Sequence, residues 1–281
     1  MNWGQWGAKF NTQAYLSQIK KTLESGVNTF DHADIYGHYT TEEEFGAALK
    51  LDPSLRSKMQ IITKCGICML TPNRPLHQIK SYNTTKTHIL SSIERSLTNF
   101  HSDYIDMLLI HRPDPLMSPH EIAAAFSILK QSGKVKHFGV SNFTTTQFSM
   151  LQNLFPLEVN QIELSILHTK PFYDGVTDQC MEKGIVPQAW SPLGGGKIHL
   201  DVEDERSRRI ISMACMLGEK YNANFDQVLI AWLLKHPSGI VPVLGTTKIE
   251  RIQAAMAAGS IEMTSEEWHM LLRASNGFDV P

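Results

Sequence analysis

The sequence predicts a parallel (β/α)8 TIM barrel, on three observations. Short apolar runs alternate with longer segments of helical period, and almost no linker intervenes, which is the rhythm of parallel strands joined by crossover helices. The length, 281 residues, suits one such barrel. The rival for an alternating chain, a doubly wound sheet, needs a phosphate-binding glycine turn after its first strand. No GxGxxG occurs, and the Gly194–Gly196 run comes late and lacks the spacing. A single domain over residues 1–281 is expected, without a low-complexity tract or short-period repeat.

Strand-like runs are Val27–Asp31, Met59–Thr63, Tyr104–Ile110, Lys136–Val140, Glu158–Ile162, Val186–Trp190 and Ile240–Leu244, and the residues around Trp3 would supply an eighth. Helical period is read in Thr12–Ser25, where Tyr15, Ile19, Thr22 and Leu23 share a face, and in Thr85–Asn99, with Ile89, Ile93, Ser96 and Leu97. Ser118-Pro119 is a cap and first turn for a helix that ends before Gly133. Further helices are expected over Thr144–Asn153, Asp204–Tyr221, Phe225–His236, Lys248–Ala258 and Thr264–Ser275.

Composition excludes several classes of partner. Lys+Arg 26 against Asp+Glu 28 leaves a net charge of −2, too little to gather nucleic acid or an anionic membrane. Four cysteines form no disulfide framework and read as reduced thiols. The start MNWGQWGAKF has no basic region followed by an apolar run, and stretches such as Ile105–Ile110 are far below the ~18–20 residues of a membrane span. A cytoplasmic protein with no membrane or nucleic-acid partner is expected.

In a TIM barrel the chemistry sits where strands end. The strand ends here carry an unusual density of polar residues: Asp31, Asp34 and Tyr36 in FDHADIY, Lys64 in ITKCG, His111, Arg112 and Asp114 in LLIHRPD, Ser141 and Asn142 in GVSNF, and Asn160, Gln161 and Glu163 in NQIE. The last two strands end in AWSPLGGG and LGTTK. A buried lysine is costly unless an acid pairs with it, so Tyr, Lys, Asp and His converging on one rim form a candidate proton-transfer site.

The same residues carry a resemblance. Asp31 and Tyr36 in DHADIY, Lys64 and His111 resemble the catalytic tetrad of the aldo-keto reductases in order, strand context and the five-residue step from Asp to Tyr. DHADIYG, LLIHRPDPLM, GKVKHFGVSNFT, GTTKIER and GFDVP are similar to the YdhF-like branch of bacterial oxidoreductases. The resemblance implies reduction of aldehydes and ketones with hydride from NADPH. It implies Tyr36 as proton donor, Lys64 lowering the phenol pKa, Asp31 holding Lys64, and His111 donating a hydrogen bond to the substrate oxygen. It also implies that the nicotinamide rests on Trp190, with its carboxamide held by Ser141, Asn142 and Gln161. Ser191, Leu193, Gly194 and Gly195 would approach the pyrophosphate, and Gly245, Thr246, Thr247, Lys248 and Arg251 the 2′-phosphate, which favours NADPH over NADH. Ala255 stands where the family usually has Asn. The family's N-terminal hairpin is expected to be missing or truncated, the substrate to be a small carbonyl compound, and the protein to be a monomer or weak homo-oligomer.

Taken singly, Asp31 reads as a turn residue, Lys64 as a strand-end lysine with its head in water, and His111 as a core histidine. Holding all of these at one rim in the right order is harder than the joint functional reading. Asp34 reads as a loop-holding residue, and Cys65-Gly-Ile-Cys68 as coincidence, since no second CxxC exists to complete a zinc site; no metal is expected. Two rivals remain. A non-catalytic NADPH-binding module, like potassium-channel β subunits, would keep the cofactor segments and show little turnover. A barrel hydrolase using Asp34 and Glu163 would leave GTTKIER and SPLGGG without a role.

Overall fold

The computed structural model describes residues 3–199 and 203–279. The chain divides into two compact units, one running through Asn160 with Gly245–Ile249, the other comprising Gln161–Leu244 and the segment from Glu250. The first unit is built from α1 (Thr12–Glu24), β1 (Thr29–Asp31), α2 (Thr41–Leu51), β2 (Gln60–Cys65), a short hairpin of β3 (Ile67–Cys68) and β4 (Ser81–Tyr82), α3 (Lys86–Phe100), β5 (Ile105–Ile110), α4 (Pro119–Gln131), β6 (Val135–Ser141) and α5 (Thr145–Gln152). Strands β1, β2, β5 and β6 lie side by side in that order, all parallel, with Asp31 opposite Ile62 and Lys64 opposite Leu109. Parallel neighbours need crossover connections, and α2, α3 and α4 lie in those connections.

β7 (Val159–Glu163) begins in the first unit and ends in the second, which then carries α6 (Val176–Lys183), β8 (Val186–Trp190), α7 (Glu205–Tyr221), α8 (Phe225–Leu234), β9 (Val241–Val243), α9 (Ile249–Ala257) from its second residue, and α10 (Ser265–Asn276). β8 pairs in parallel with β9, Trp190 opposite Val243. Its core is apolar, and at one place two indoles lock each other. Trp232 and Trp268 stack at 5.0 Å, and each Nε1 donates to the other's backbone carbonyl at 3.0 Å.

The helix starts follow from side-chain chemistry. Ser118 accepts from the Glu121 N–H with Pro119 in the first turn, as the sequence implies. Capping boxes begin α5 (Thr144 with Gln147), α8 (Asn224 with Gln227) and α10 (Thr264 with Glu267). Asp204, in the acidic run Asp201–Glu205, caps α7 by accepting from the Ser207 N–H, whereas Asp201 lies outside the described residues. α2 and α6 were not legible as separate helices: α6 is eight residues long, and α2 follows the Tyr36 motif with only a turn between.

The strand expected around Trp3 is instead a turn. The Gly7 and Lys9 N–H groups both bond the Gly4 carbonyl, Phe10 N–H returns to the Trp3 carbonyl, and Lys9 is left-handed at φ 50°. These main-chain groups are therefore turned on one another rather than offered to a ladder. Trp3 is buried by its side chain, edge-on to Phe30 at 6.0 Å and tilted to Tyr15 at the same distance.

Gly46 lies inside α2, where glycine costs a helix about 1 kcal/mol relative to alanine. Its reason is the neighbouring helix: a Cβ built there would stand 1.8 Å from the Asn99 carbonyl oxygen in α3. Gly46→Ala should therefore destabilise the protein by about 1–3 kcal/mol through overpacking despite the better helix former, as read by urea midpoints. A more stable variant would show that α2 and α3 can separate freely.

Candidate active site

Four residues from three of the polar strand ends converge within the first unit. Lys64, on β2, is fully buried at 0% exposure. Its Nζ donates to Asp31 Oδ2 at 2.7 Å, to the His32 carbonyl at 2.8 Å and to the Tyr36 hydroxyl at 3.4 Å. All three ammonium protons thus have acceptors, so the desolvated charge is matched. Backbone pairing sets this register: the Asp34 N–H bonds the Lys64 carbonyl at 2.9 Å, and the His111 N–H bonds the Cys65 carbonyl at 2.9 Å. The Tyr36 and His111 rings meet edge to face at 5.9 Å.

The electrostatics follow. Burial opposes the charge on Lys64, but the Asp31 carboxylate and Tyr36 outweigh it, and the ammonium is held above lysine's ordinary value. Burial is also the largest influence on Tyr36 and raises its phenol; Lys64 pulls the other way, as expected, but does not win. Lys64 thus acts on the phenol in the expected direction, while desolvation of the phenolate exceeds the help from one ammonium. Burial, then the cations Lys64 and Arg112, hold His111 well below the usual histidine range, so its imidazole is neutral at pH 7. Its Nδ1 is buried without a hydrogen-bond partner.

The turn after Tyr36 is strained. Gly37, His38 and Tyr39 all have left-handed backbones, at φ 59°, 59° and 71°. For His38 and Tyr39 this costs on the order of 1 kcal/mol or more each. Two residues beside Tyr36 carried no signal in the sequence. Trp6, 44% exposed, stands 5.9 Å from the Tyr36 ring and 5.4 Å from His38. His32, fully buried against Phe45 and Phe100 with neither ring nitrogen bonded, gives Lys64 its carbonyl.

The remaining candidates are distributed over both units. In the first, Asn142 follows β6 in a left-handed conformation at φ 60° and its Nδ2 donates to Ser141 Oγ at 2.7 Å. The carbonyls of Thr246 and Thr247 accept from Trp3 Nε1 at 3.1 Å and Gln18 Nε2 at 3.0 Å, and Lys248 is exposed just before α9. In the second, Gln161 is buried and donates to Gln188 at 3.0 Å, and Trp190 is half-buried at the end of β8. Ser191 follows at φ 52°, and beyond Leu193 come Gly194, Gly195 and Gly196 at φ 68°, 65° and 86°. A Cβ on Gly195 would meet only Ser191, no nearer than 3.5 Å, and one on Gly196 nothing within 4 Å. Gly195 and Gly196 are therefore required by backbone conformation rather than by crowding, and the Gly194 N–H bonds the Ser191 carbonyl at 2.8 Å. Arg251 is paired with Asp226 at 2.7 Å.

Comparison with known proteins places the chain in a family. The model of the Aldo/keto reductase family matches residues 1–276. The chain belongs to the aldo/keto reductase family. Oxidoreductase YdhF of Escherichia coli is 46% identical over 269 residues, covering 95% of this chain and 89% of that protein, in keeping with the branch that the motifs resemble. A 6-dehydroglucose reductase of Agrobacterium fabrum is 42% identical over 268 residues, with 94% and 88% covered. The crystal structure of the thermostable aldo-keto reductase Tm1743, in complex with the inhibitor epalrestat, superposes with a TM-score of 0.76 at 24% identity, covering 94% of this chain and 88% of that one. The fold is of the (β/α)8 type, and the protein is an oxidoreductase of a family that acts on small carbonyl compounds and uses NAD(P)H.

Among the described residues, no group of three His, Cys, Asp or Glu side chains is arranged to hold a metal, and no helix is long and apolar enough to cross a membrane. Cys65 and Cys68 are free and buried, and burial raises both thiols, Cys65 well above the ordinary cysteine value, which suppresses the reactive thiolate.

Asp34 is buried with Oδ1 unpaired; burial, then Glu42, lift its carboxyl well above 3.8. A group with a raised folded pKa contributes stability below its unfolded pKa and loses it as pH rises through the folded value. Asparagine is neutral at every pH. Asp34→Asn should therefore gain stability relative to the wild type between pH 5 and pH 8, by about 1 kcal/mol or more, in urea melts at the two values. A pH-independent difference would mean that Asp34 is charged in the folded protein.

Proposed function

We propose that this aldo/keto reductase reduces aldehydes and ketones with NADPH and that Tyr36 is the general acid. The observation that carries the reading is the fully buried Lys64, whose protons are shared among Asp31, the His32 carbonyl and the Tyr36 hydroxyl. An interior ammonium aimed at a phenol is costly to build, and stabilising a phenolate as a proton leaves is a use for it. A module that only binds cofactor has no use for it.

The cofactor supplies the hydride. Residues proposed to hold it are Ser141, Asn142, Gly245, Thr246, Thr247 and Lys248 in the first unit, and Gln161, Trp190, Ser191, Leu193, Gly194, Gly195 and Arg251 in the second. The left-handed glycine run, the half-buried indole face and the hydroxyls and cations of GTTKIER fit a dinucleotide with a 2′-phosphate.

The chain's own part is proton transfer and charge stabilisation. Neutral His111 can donate one N–H to the substrate oxygen, where negative charge develops. Tyr36 gives that oxygen its proton, and Lys64 compensates the charge left on the phenolate. Asp31 and the His32 carbonyl keep Lys64 oriented. The phenol held above its ordinary value (10.0) by burial stays protonated at pH 7, which favours reduction over alcohol oxidation at that pH. Given the relationship to a 6-dehydroglucose reductase, carbonyl sugars are the class to try beside simple aldehydes. We further read the chain as one domain over residues 1–281, working in the cytoplasm as a monomer or weak homo-oligomer, with no nucleic-acid, membrane or metal partner.

Two experiments test the reading. Tyr36→Phe should lower kcat by about a hundredfold or more while the NADPH Kd, from quenching of tryptophan fluorescence, stays within about threefold. Equal loss of binding would overturn the acid role, and no wild-type turnover with NADPH bound would favour the binding-module reading. Arg251→Ala should weaken NADPH binding by roughly tenfold or more and leave NADH nearly unaffected. Equal weakening of both would remove Arg251 from the 2′-phosphate.

A further inference from the structure

The strained turn that follows Tyr36 does not stand alone. Tyr39 N–H and Thr40 N–H close back on the carbonyls of Ile35 and Tyr36 at 3.3 and 3.2 Å. Thr40 Oγ1 donates to the Gly37 carbonyl at 2.8 Å. These bonds are local and would suit an ordinary helical turn, so they do not explain three successive left-handed residues. The external partners do. The Tyr39 hydroxyl donates to the Ile67 carbonyl at 3.3 Å and accepts from the Met69 N–H at 3.0 Å. Asn73 Nδ2 donates to the His38 carbonyl at 2.8 Å, and the Arg74 guanidinium lies over the Tyr39 ring at 4.3 Å. All come from one segment, beginning in β3 and folded on itself through the Thr71, Arg74 and His77 backbone. That segment begins only three residues after Lys64, just past the end of β2.

We propose that the segment Ile67–Arg74 is a strap that holds the turn Gly37–Tyr39 in its strained form, and that Tyr39 is thereby a positioning residue for the Tyr36 hydroxyl. The geometry is direct. Strain persists only where the surroundings over-determine it, and here the over-determination comes from outside the turn. The turn begins at Tyr36, whose hydroxyl stands at 3.4 Å from Lys64, the longest of that ammonium's three contacts. A turn relaxing toward right-handed geometry would re-aim the Tyr36 side chain first, because Lys64 is also held by Asp31 and His32 on the other side. The strap leaves from the strand that carries Lys64, so acid and ammonium are referred to one piece of backbone. Misplacement on the scale of an ångström is costly in such sites.

This rests on Tyr36 being the acid, and the experiment separates the two. Tyr39→Phe keeps the ring under Arg74 and removes the hydroxyl from the strap; Asn73→Ala removes the bond to His38 at an exposed position. Each is assayed with NADPH and p-nitrobenzaldehyde, and each is followed by the ring-carbon NMR signal of isotope-labelled Tyr36 across the alkaline range. The expected result is a loss of roughly tenfold or more in kcat with KM changed far less. The Tyr36 titration should move upward as the phenol loses Lys64. The double variant should lose little more than the worse single one, because both bonds hold one turn. Unchanged kcat in both variants would overturn the proposal. So would a kcat loss that follows thermal stability alone while the Tyr36 titration stays in place. If the wild type reduces no carbonyl, the acid assignment has failed, and the Tyr36 titration alone decides whether the strap holds that side chain.

Discussion

Everything at this site depends on keeping an ammonium ion out of water. Lys64 has no exposed surface, and an interior charge is tolerated only when its partners replace the water it has lost. One carboxylate, one backbone carbonyl and one phenol do so here. Each restricts the chain: Asp31 must end β1, the backbone must turn at once so that the His32 carbonyl points back, and the Tyr36 side chain must return from the far end of that turn. The parallel pairing of β1 with β2 makes this geometry possible by setting Asp31 beside Ile62 and hence near Lys64.

The same burial has a second effect. It drives Tyr36 up and His111 down, so both are neutral at pH 7, one a phenol and the other an uncharged imidazole. The charged pair Lys64–Asp31 and the neutral pair Tyr36–His111 are set by one environment. Asp34 and Glu42, buried nearby, are pushed up as well, and are better regarded as polar packing than as a second pair of acids. The carboxylate hydrolase reading, which pairs Asp34 with Glu163, gives way to the family matched over residues 1–276.

How much was legible can be argued from particular residues. Helix caps such as Ser118, Thr144 and Asp204 are local chemistry, and the sequence showed where those helices begin. The strand over Ile105–Ile110 was visible because a buried parallel strand is a nearly continuous apolar run. Trp3 misled, since an aromatic residue near a chain end can be buried by its side chain while its backbone turns. Trp6, Tyr39 and the His32 carbonyl were invisible for a different reason. Their contacts join residues some thirty positions apart, and neither a half-exposed indole nor a main-chain oxygen carries a sequence signature.

The sequence by itself determined the alternation of strands and helices, the residue types available at the strand ends and the family, because these follow from period, capping and motif order. Only the tertiary structure decided that Lys64 is fully buried, that desolvation outweighs its pull on Tyr36, and that the turn after Tyr36 is left-handed and held from Ile67–Arg74. Those outcomes depend on burial and on long-range backbone contacts, which arise when distant segments pack and which no local pattern of residues encodes.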